Sequence, residues 1–153
     1  MHHLADEAET LKFGERLATC LRSGLIIHLL GNLGAGKTTL ARGILHGLGY
    51  PHIVKSPTYN LVEIYKISGL YLYHFDFYRF NHCSEWEEAG FRDYFNSDSI
   101  CLVEWPEKAG SLLPGADLRC FLNILDSVRN IEIRSSTETG KQCLTHWTTE
   151  KNT

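Results

Sequence analysis

The sequence predicts an α/β domain on an open, mixed but mostly parallel central sheet, and three observations carry that expectation. A short apolar run, GLIIHLLG, leads directly into the glycine-rich stretch GNLGAGKTTL at residues 31–40. An amphipathic segment follows, with Leu40, Ala41, Ile44, Leu45 and Leu48 on one helical face. Further apolar and β-branched runs then alternate with short helical segments, the pattern of a layered α/β fold. At 153 residues the chain is long enough for one domain with a real core and too short for two of ordinary size. One domain over 1–153 is therefore expected.

The elements follow in chain order. Leu4, Ala8, Leu11, Ala18 and Leu21 recur at helical spacing, which predicts an amphipathic helix over residues 5–22. GLIIHLLG is too short for a buried helix and reads as a buried strand. The helix after the loop is stopped by Gly49 and Pro51. LVEIYKISGLYLYHFDFY carries β-branched and aromatic residues on both sides of Ser68-Gly69, the signature of a hairpin. Ser84-Glu85-Trp86-Glu87 matches a capping box and predicts the start of a short helix. SICLVEW reads as another buried strand, closed by Pro106, and LRCFLNI with RNIEIRS as a strand pair around Asp126-Ser127. The tail after Ser135 is polar and too weakly patterned to assign.

Composition excludes several classes of function. The chain is 43% hydrophobic and 22% charged, ordinary for a globular protein. A net charge of −3 argues against a protein that grips nucleic acid alone through a basic face, since neutralising phosphates takes clustered Lys and Arg. The five cysteines are scattered without a C-x-x-C pair, so reduced thiols in the cytoplasm are expected rather than a disulfide or zinc framework. The first residues, MHHLADEAET, lack the apolar core of a signal peptide, and no apolar run is long enough to span a bilayer. The eight histidines contain no H-x-x-x-H pair. His74 and Asp76, which strand alternation places on one face, are the nearest metal-like fragment, and a His-ligated metal is not expected.

The chemistry is concentrated in the glycine-rich stretch. Gly31, Gly36, Lys37 and Thr38 fit G-x-x-x-x-G-K-[ST] at every fixed position. Such a loop works because its glycines let backbone N–H groups converge on phosphates at a helix N-terminus, where the helix dipole also favours negative charge. Residues Gly34, Ala35, Gly36, Lys37, Thr38 and Thr39 are expected to bind the nucleotide, with Lys37 on the β/γ oxygens and the Thr38 hydroxyl on Mg²⁺. A glycine-rich turn with a chance Lys-Thr would lack the flanking strand and helix that this sequence supplies. The fold expectation narrows to a three-layer domain of the P-loop NTPase type.

A magnesium ion also needs carboxylates, usually where a neighbouring strand runs out. Asp76 ends YLYHFD and Glu104 ends ICLVE. One acid can complete the Mg²⁺ shell while the other orients or deprotonates the attacking water, and the sequence leaves open which does which. Thr58, in KSPTYNLVE, stands where nucleotide-sensing segments often lie. Trp105 follows Glu104 directly and suits the core, a wall of the site or a partner surface.

Five blocks in order, GNLGAGKTTLARG, VKSPTYNLVE, YHFDFYR, GFRDYF and CLVEWPEK, resemble the TsaE family, formerly YjeE, over about residues 11–134. That family is the small ATPase of the bacterial machinery that makes threonylcarbamoyladenosine beside the anticodon of tRNAs reading ANN codons. The resemblance implies ATP and Mg²⁺ binding, docking on a TsaD–TsaB heterodimer, and hydrolysis that supports repeated transfer reactions in TsaD, with tRNA met only through the complex. By motif match it assigns Lys37 and Thr38 to phosphate and metal, Asp76 and Glu104 to the acidic pair, and Thr58 to a switch-like segment. It also puts an N-terminal acid and a late arginine near the nucleotide, for which Glu7 and Arg129 are the nearest matches. The chain departs from the family at Asn32 (usually Asp), Asn60 (usually Thr) and Cys83-Ser84-Glu85-Trp86 (usually Pro-Glu-Glu-Leu). None of these departures removes an assigned ligand.

Two other readings compete. A small-molecule kinase can use the same loop but usually carries an Arg-rich lid, and residues 80–120 hold only Arg92 and Arg119. A non-hydrolysing adaptor, with ATP serving only to order a docking surface, shares every motif above. The guanine-reading N/T-K-x-D pattern is absent, which favours ATP over GTP.

Overall fold

The computed structural model describes residues 2–54, 61–79 and 90–151. In chain order the elements are β1 (His2–Leu4), α1 (Glu7–Leu17), β2 (Ile26–Leu30), α2 (Lys37–Gly47), β3 (Val62–Ile67), β4 (Leu70–Asp76), β5 (Ser99–Glu104), β6 (Leu118–Leu125), β7 (Val128–Ser135) and α3 (Glu138–Lys151). Short 3₁₀ turns cover Ala18–Cys20, Phe91–Tyr94, Pro106–Lys108 and Gly110–Leu112. The strands form one sheet in the order β1-β7-β6-β2-β5-β4-β3. Its centre is parallel, with β2 between β5 and β6 and β4 beside β5. Both flanks are antiparallel. This is the open mixed α/β sheet that the sequence predicts.

The two hairpins turn where expected. Ser68-Gly69 joins β3 to β4 and Asp126-Ser127 joins β6 to β7, and all four residues have positive φ. Two turn residues with φ > 0 match the right-handed twist of the strands they connect. β5 is buried along its whole length, as a central parallel strand with both faces covered should be.

One face of the sheet packs under the helices. Phe13, Leu17, Leu40, Ile44 and Leu45 meet Ile27, Leu29, Leu72, Ile100 and Leu102 in a single buried cluster, which Cys143 and Trp147 of α3 extend. On the opposite face, Phe75, Phe77, Cys101 and Val103 pack with Phe91, Ala109 and Leu113 from the 3₁₀ turns and their neighbours. Helices, sheet and 3₁₀ turns thus form three layers.

The helices α1 and α2 approach backbone to backbone. A Cβ on Gly43 would lie 2.2 Å from the Leu11 carbonyl oxygen, and one on Gly14 would lie 2.7 Å from the Leu40 carbonyl oxygen. This contact corrects the expected reading of the first helix. The helix spans Glu7–Leu17 rather than residues 5–22, Leu4 belongs to β1, and Ala8 is exposed. Its buried stripe is Thr10, Phe13, Gly14 and Leu17, because the glycine contact with α2 decides which face turns inward. Asp6 caps the start, accepting from the Glu9 backbone N–H at 2.9 Å.

The unassigned tail forms α3. Thr137 accepts from the Gly140 N–H at 3.1 Å and donates to Asp117 Oδ1 at 2.7 Å, while Asp117 Oδ2 accepts from the Ile26 N–H at 2.8 Å. One carboxylate therefore ties the start of α3 to the start of β2. The sulfurs of Cys20 and Cys143 lie 2.8 Å apart and join α3 to the turn after α1. The helix expected at Ser84 and the segment containing Thr58 lie outside the described residues.

Candidate functional site

The parallel strands β2, β4 and β5 end together, and their register sets the site. Glu104 pairs with Leu29 on one side and with Asp76 on the other. The loop after β2 therefore opens directly over the two strand-end acids. In open α/β sheets ligands occupy the crevice outside the carboxyl ends of the strands, where the strand order reverses. Here the chain leaves β2 toward β3–β5 and then crosses back to β6 on the other side of β2.

The loop's glycines are required by its shape. Gly31 has φ 152°, and a Cβ there would lie 2.3 Å from the Leu122 carbonyl oxygen of β6. Gly34 and Gly36 have φ 79° and 107°, in the region that favours glycine. Gly36 is the N-cap of α2, so the unsatisfied N–H groups of that helix open toward the cavity.

A cavity of about 340 Å³ lies here, lined by Glu7, Leu33, Gly34, Gly36, Lys37, Thr38, Thr39, Asp76, Tyr78, Glu104, Trp105 and Arg129. Of the expected site residues, Glu7, Gly34, Gly36, Lys37, Thr38, Thr39, Asp76, Glu104 and Arg129 are brought together around it. Ala35 is buried beneath the loop and donates its N–H to the Asn32 carbonyl at 3.1 Å. Thr58 lies outside the described residues. Leu33 and Tyr78 line the cavity without having been anticipated. Tyr78 had a signal in the sequence, since it stands two residues after Asp76.

Lys37 is 5% exposed and donates to the Gly31 carbonyl at 2.7 Å. Its ammonium also lies over the Trp105 ring, 3.8 Å from the centroid. Burial pulls its pKa below the ordinary lysine value, while the charges of Glu104, Asp76 and Glu107 oppose that fall. Burial likewise raises Asp76 above the ordinary carboxylate value, and Glu104 adds to it. The Tyr78 N–H, which donates to Asp76 Oδ1 at 3.0 Å, together with His74 and Lys37, works the other way. A half-buried acid raised by burial, beside a second acid and a cation, is the kind of cluster found at functional sites.

Glu7 reaches the site from the first turn of α1. Its Oε1 accepts from the Thr39 hydroxyl at 3.3 Å and lies 3.8 Å from Arg42. Arg129 arrives on β7, where it pairs with Leu4 of β1. A Cβ on Gly36 would lie 3.7 Å from its guanidinium. The edge strand β1 thus joins the two elements that carry Glu7 and Arg129.

His74 Nε2 donates to Glu104 Oε2 at 2.6 Å. Among the described residues no three His, Cys, Asp or Glu side chains cluster as a metal cage. The Thr38 hydroxyl and the two carboxylates are hard oxygen donors, the set that suits Mg²⁺ when water and phosphate complete its shell. Among the described residues no helix is long and apolar enough to cross a membrane.

Comparison with known proteins agrees with the motif resemblance. The family described as "Threonylcarbamoyl adenosine biosynthesis protein TsaE" matches residues 4–142. The tRNA threonylcarbamoyladenosine biosynthesis protein TsaE of Haemophilus influenzae is 47% identical over 147 residues, covering 93% of each chain. Its namesake in Bacillus subtilis is 40% identical over 114 residues, 74% of this chain and 71% of that one. The crystal structure of Bacillus subtilis YdiB is similar with a TM-score of 0.84 at 28% identity, covering 99% of this chain and 95% of that one. The chain belongs to the TsaE family of tRNA threonylcarbamoyladenosine biosynthesis proteins.

Proposed function

We propose that this chain is the Mg²⁺-dependent, ATP-binding and ATP-hydrolysing subunit of a cytoplasmic threonylcarbamoyl-transfer machinery, working with a TsaD–TsaB-type heterodimer that holds the tRNA. The observation that carries the reading is the meeting of a buried lysine, a helix N-terminus and two paired strand-end acids in one cavity. Lys37 and the first-turn N–H groups of α2 hold the phosphates. Glu7 and Arg129 flank them, and Thr58 senses the γ-phosphate from the neighbouring segment. Thr38 and Asp76 would hold Mg²⁺, which would supply charge neutralisation along the phosphates. Glu104 orients the attacking water and accepts its proton.

No Arg-rich lid stands in the sequence to exclude water from the phosphates, so the isolated chain should be a slow ATPase that its partners complete. ATP and Mg²⁺ would favour one state of the chain, and the heterodimer would bind that state better. Linkage then requires the partner to tighten ATP binding by the same factor.

The test is ATP turnover with and without the TsaD–TsaB-type heterodimer, together with heterodimer affinity in the presence of an ATP analogue, ADP or no nucleotide. Turnover stimulated by the heterodimer, with tightest binding in the ATP-analogue state, is expected. Equal affinity in all three states removes the coupling. ATP binding without turnover in any mixture favours the non-hydrolysing adaptor.

A further inference from the structure

We propose that His74 is a positioning residue for Glu104, holding its carboxylate so that Oε1 is the oxygen available for chemistry. The proposal rests on the reading of Glu104 as the acid that handles the attacking water. His74 and Glu104 stand on adjacent strands, with His74 in register with Leu102 and so diagonally opposite Glu104. Their side chains are 0% and 4% exposed, and the Nε2–Oε2 distance of 2.6 Å is that of a short, charge-assisted hydrogen bond. Nδ1 of His74 is buried without a hydrogen-bond partner among the described residues. Among the described residues the ring's only such bond is therefore the one to Glu104, and it requires the proton on Nε2.

A glutamate has three rotatable bonds, and the charge of Glu104 acts on the Lys37 ammonium, which would draw an unrestrained carboxylate. Collapse onto Lys37 would set the acid against the charge that the phosphates need. The imidazole prevents this by occupying Oε2 on the sheet side. Asp76, two residues along β4, is then left to act separately, so the H-x-D spacing serves two different acids.

Three variants and three readouts test the proposal. Glutamine carries its amide nitrogen near the position of imidazole Nε2, whereas asparagine carries it near Nδ1. With the heterodimer present, His74→Asn should lower ATP turnover by about 10–100-fold, the usual loss for a partner that orients a working ligand. ATP affinity by calorimetry should stay within about threefold on the same argument, and His74→Gln should restore most of the turnover. Independently of activity, ¹⁵N-resolved NMR of the nucleotide-free protein should show a slowly exchanging, downfield Nε2–H from His74 that is lost in Glu104→Ala.

Full turnover in His74→Asn while Glu104→Ala is inactive overturns the proposal. So does equal loss in His74→Asn and His74→Gln, which would mark simple packing, and so does an Nε2–H signal indifferent to Glu104→Ala. Should His74→Asn fail to fold, the glutamine variant and the NMR signal still decide. Unchanged turnover in Glu104→Ala instead defeats the catalytic reading of Glu104, and the NMR signal then shows separately whether His74 holds it.

Discussion

The Lys37 ammonium bridges two elements, donating to the Gly31 carbonyl at 2.7 Å while lying 3.8 Å from the centre of the Trp105 ring. Trp105 holds this place with a left-handed backbone, φ 57°, immediately before Pro106. A non-glycine residue in that region carries strain of order 1–3 kcal/mol, kept only where the surroundings fix it. The loop after β2 and the end of β5 are thus coupled through one cation.

Lys37→Ala removes the loop's only side-chain cation. ATP binding should fall below detection by calorimetry, with the fold retained by circular dichroism. Wild-type affinity in this variant would dismiss the phosphate role of Lys37.

Glu104→Ala and Asp76→Asn should separate the two acids. Glu104→Ala is expected to keep ATP binding while cutting partner-stimulated hydrolysis by about 10²–10⁴, the range for lost acid–base assistance. Asp76→Asn should abolish the gain in ATP affinity that Mg²⁺ confers. Titrating each variant with ATP, with and without Mg²⁺, checks the assignment, and an exchange of the two phenotypes would swap the roles.

Gly43→Ala places a methyl where the Leu11 carbonyl oxygen stands 2.2 Å away, so α1 and α2 must separate. A loss of about 1–3 kcal/mol in denaturant unfolding is expected, as for other overpacked cores. Gly115→Ala is the control, since nothing lies within 4 Å of its added Cβ and the change should stay within about 0.5 kcal/mol. Equal stability of the two variants would contradict the close helix contact.

His28 gives stability a pH dependence. Burial, reinforced by the charge of Arg119, lowers its pKa from 6.5 to about 4, against the Pro114 carbonyl and Asp117. The unfolded chain then binds a proton between pH 6.5 and 4 that the folded chain refuses. The contribution of neutral His28 is fully present above pH 6.5 and drains away toward pH 4, by about 3 kcal/mol in all. Urea midpoints measured from pH 7 to pH 4.5 should fall less steeply in His28→Leu than in the wild type. Parallel curves would exclude His28 as the source.

The local features of this protein were legible in the sequence. The glycine-rich loop, the strand before it, the helix after it, both hairpin turns and the strands that end in Asp76 and Glu104 are set by neighbouring residues. Dihedral preferences and hydrophobic period act over a few positions, so a single sequence records them. The loop residues and the two strand-end acids around the cavity were legible for the same reason. Glu7 and Arg129, by contrast, were reached only through the family resemblance, and Leu33 and Tyr78 were not anticipated. Tertiary structure decided the rest. β1 is three residues long and has no period to read; it exists because β7 offers it an edge. α3 carries few apolar residues, and its placement depends on Asp117, Cys20 and the packing of Trp147. The inward face of α1 was chosen by the glycine contact with α2, against the spacing of its leucines and alanines. The pairings of Lys37 with Trp105 and His74 with Glu104 join residues far apart in the chain. Strand register and burial create them, and neither is written in the residues' immediate neighbours.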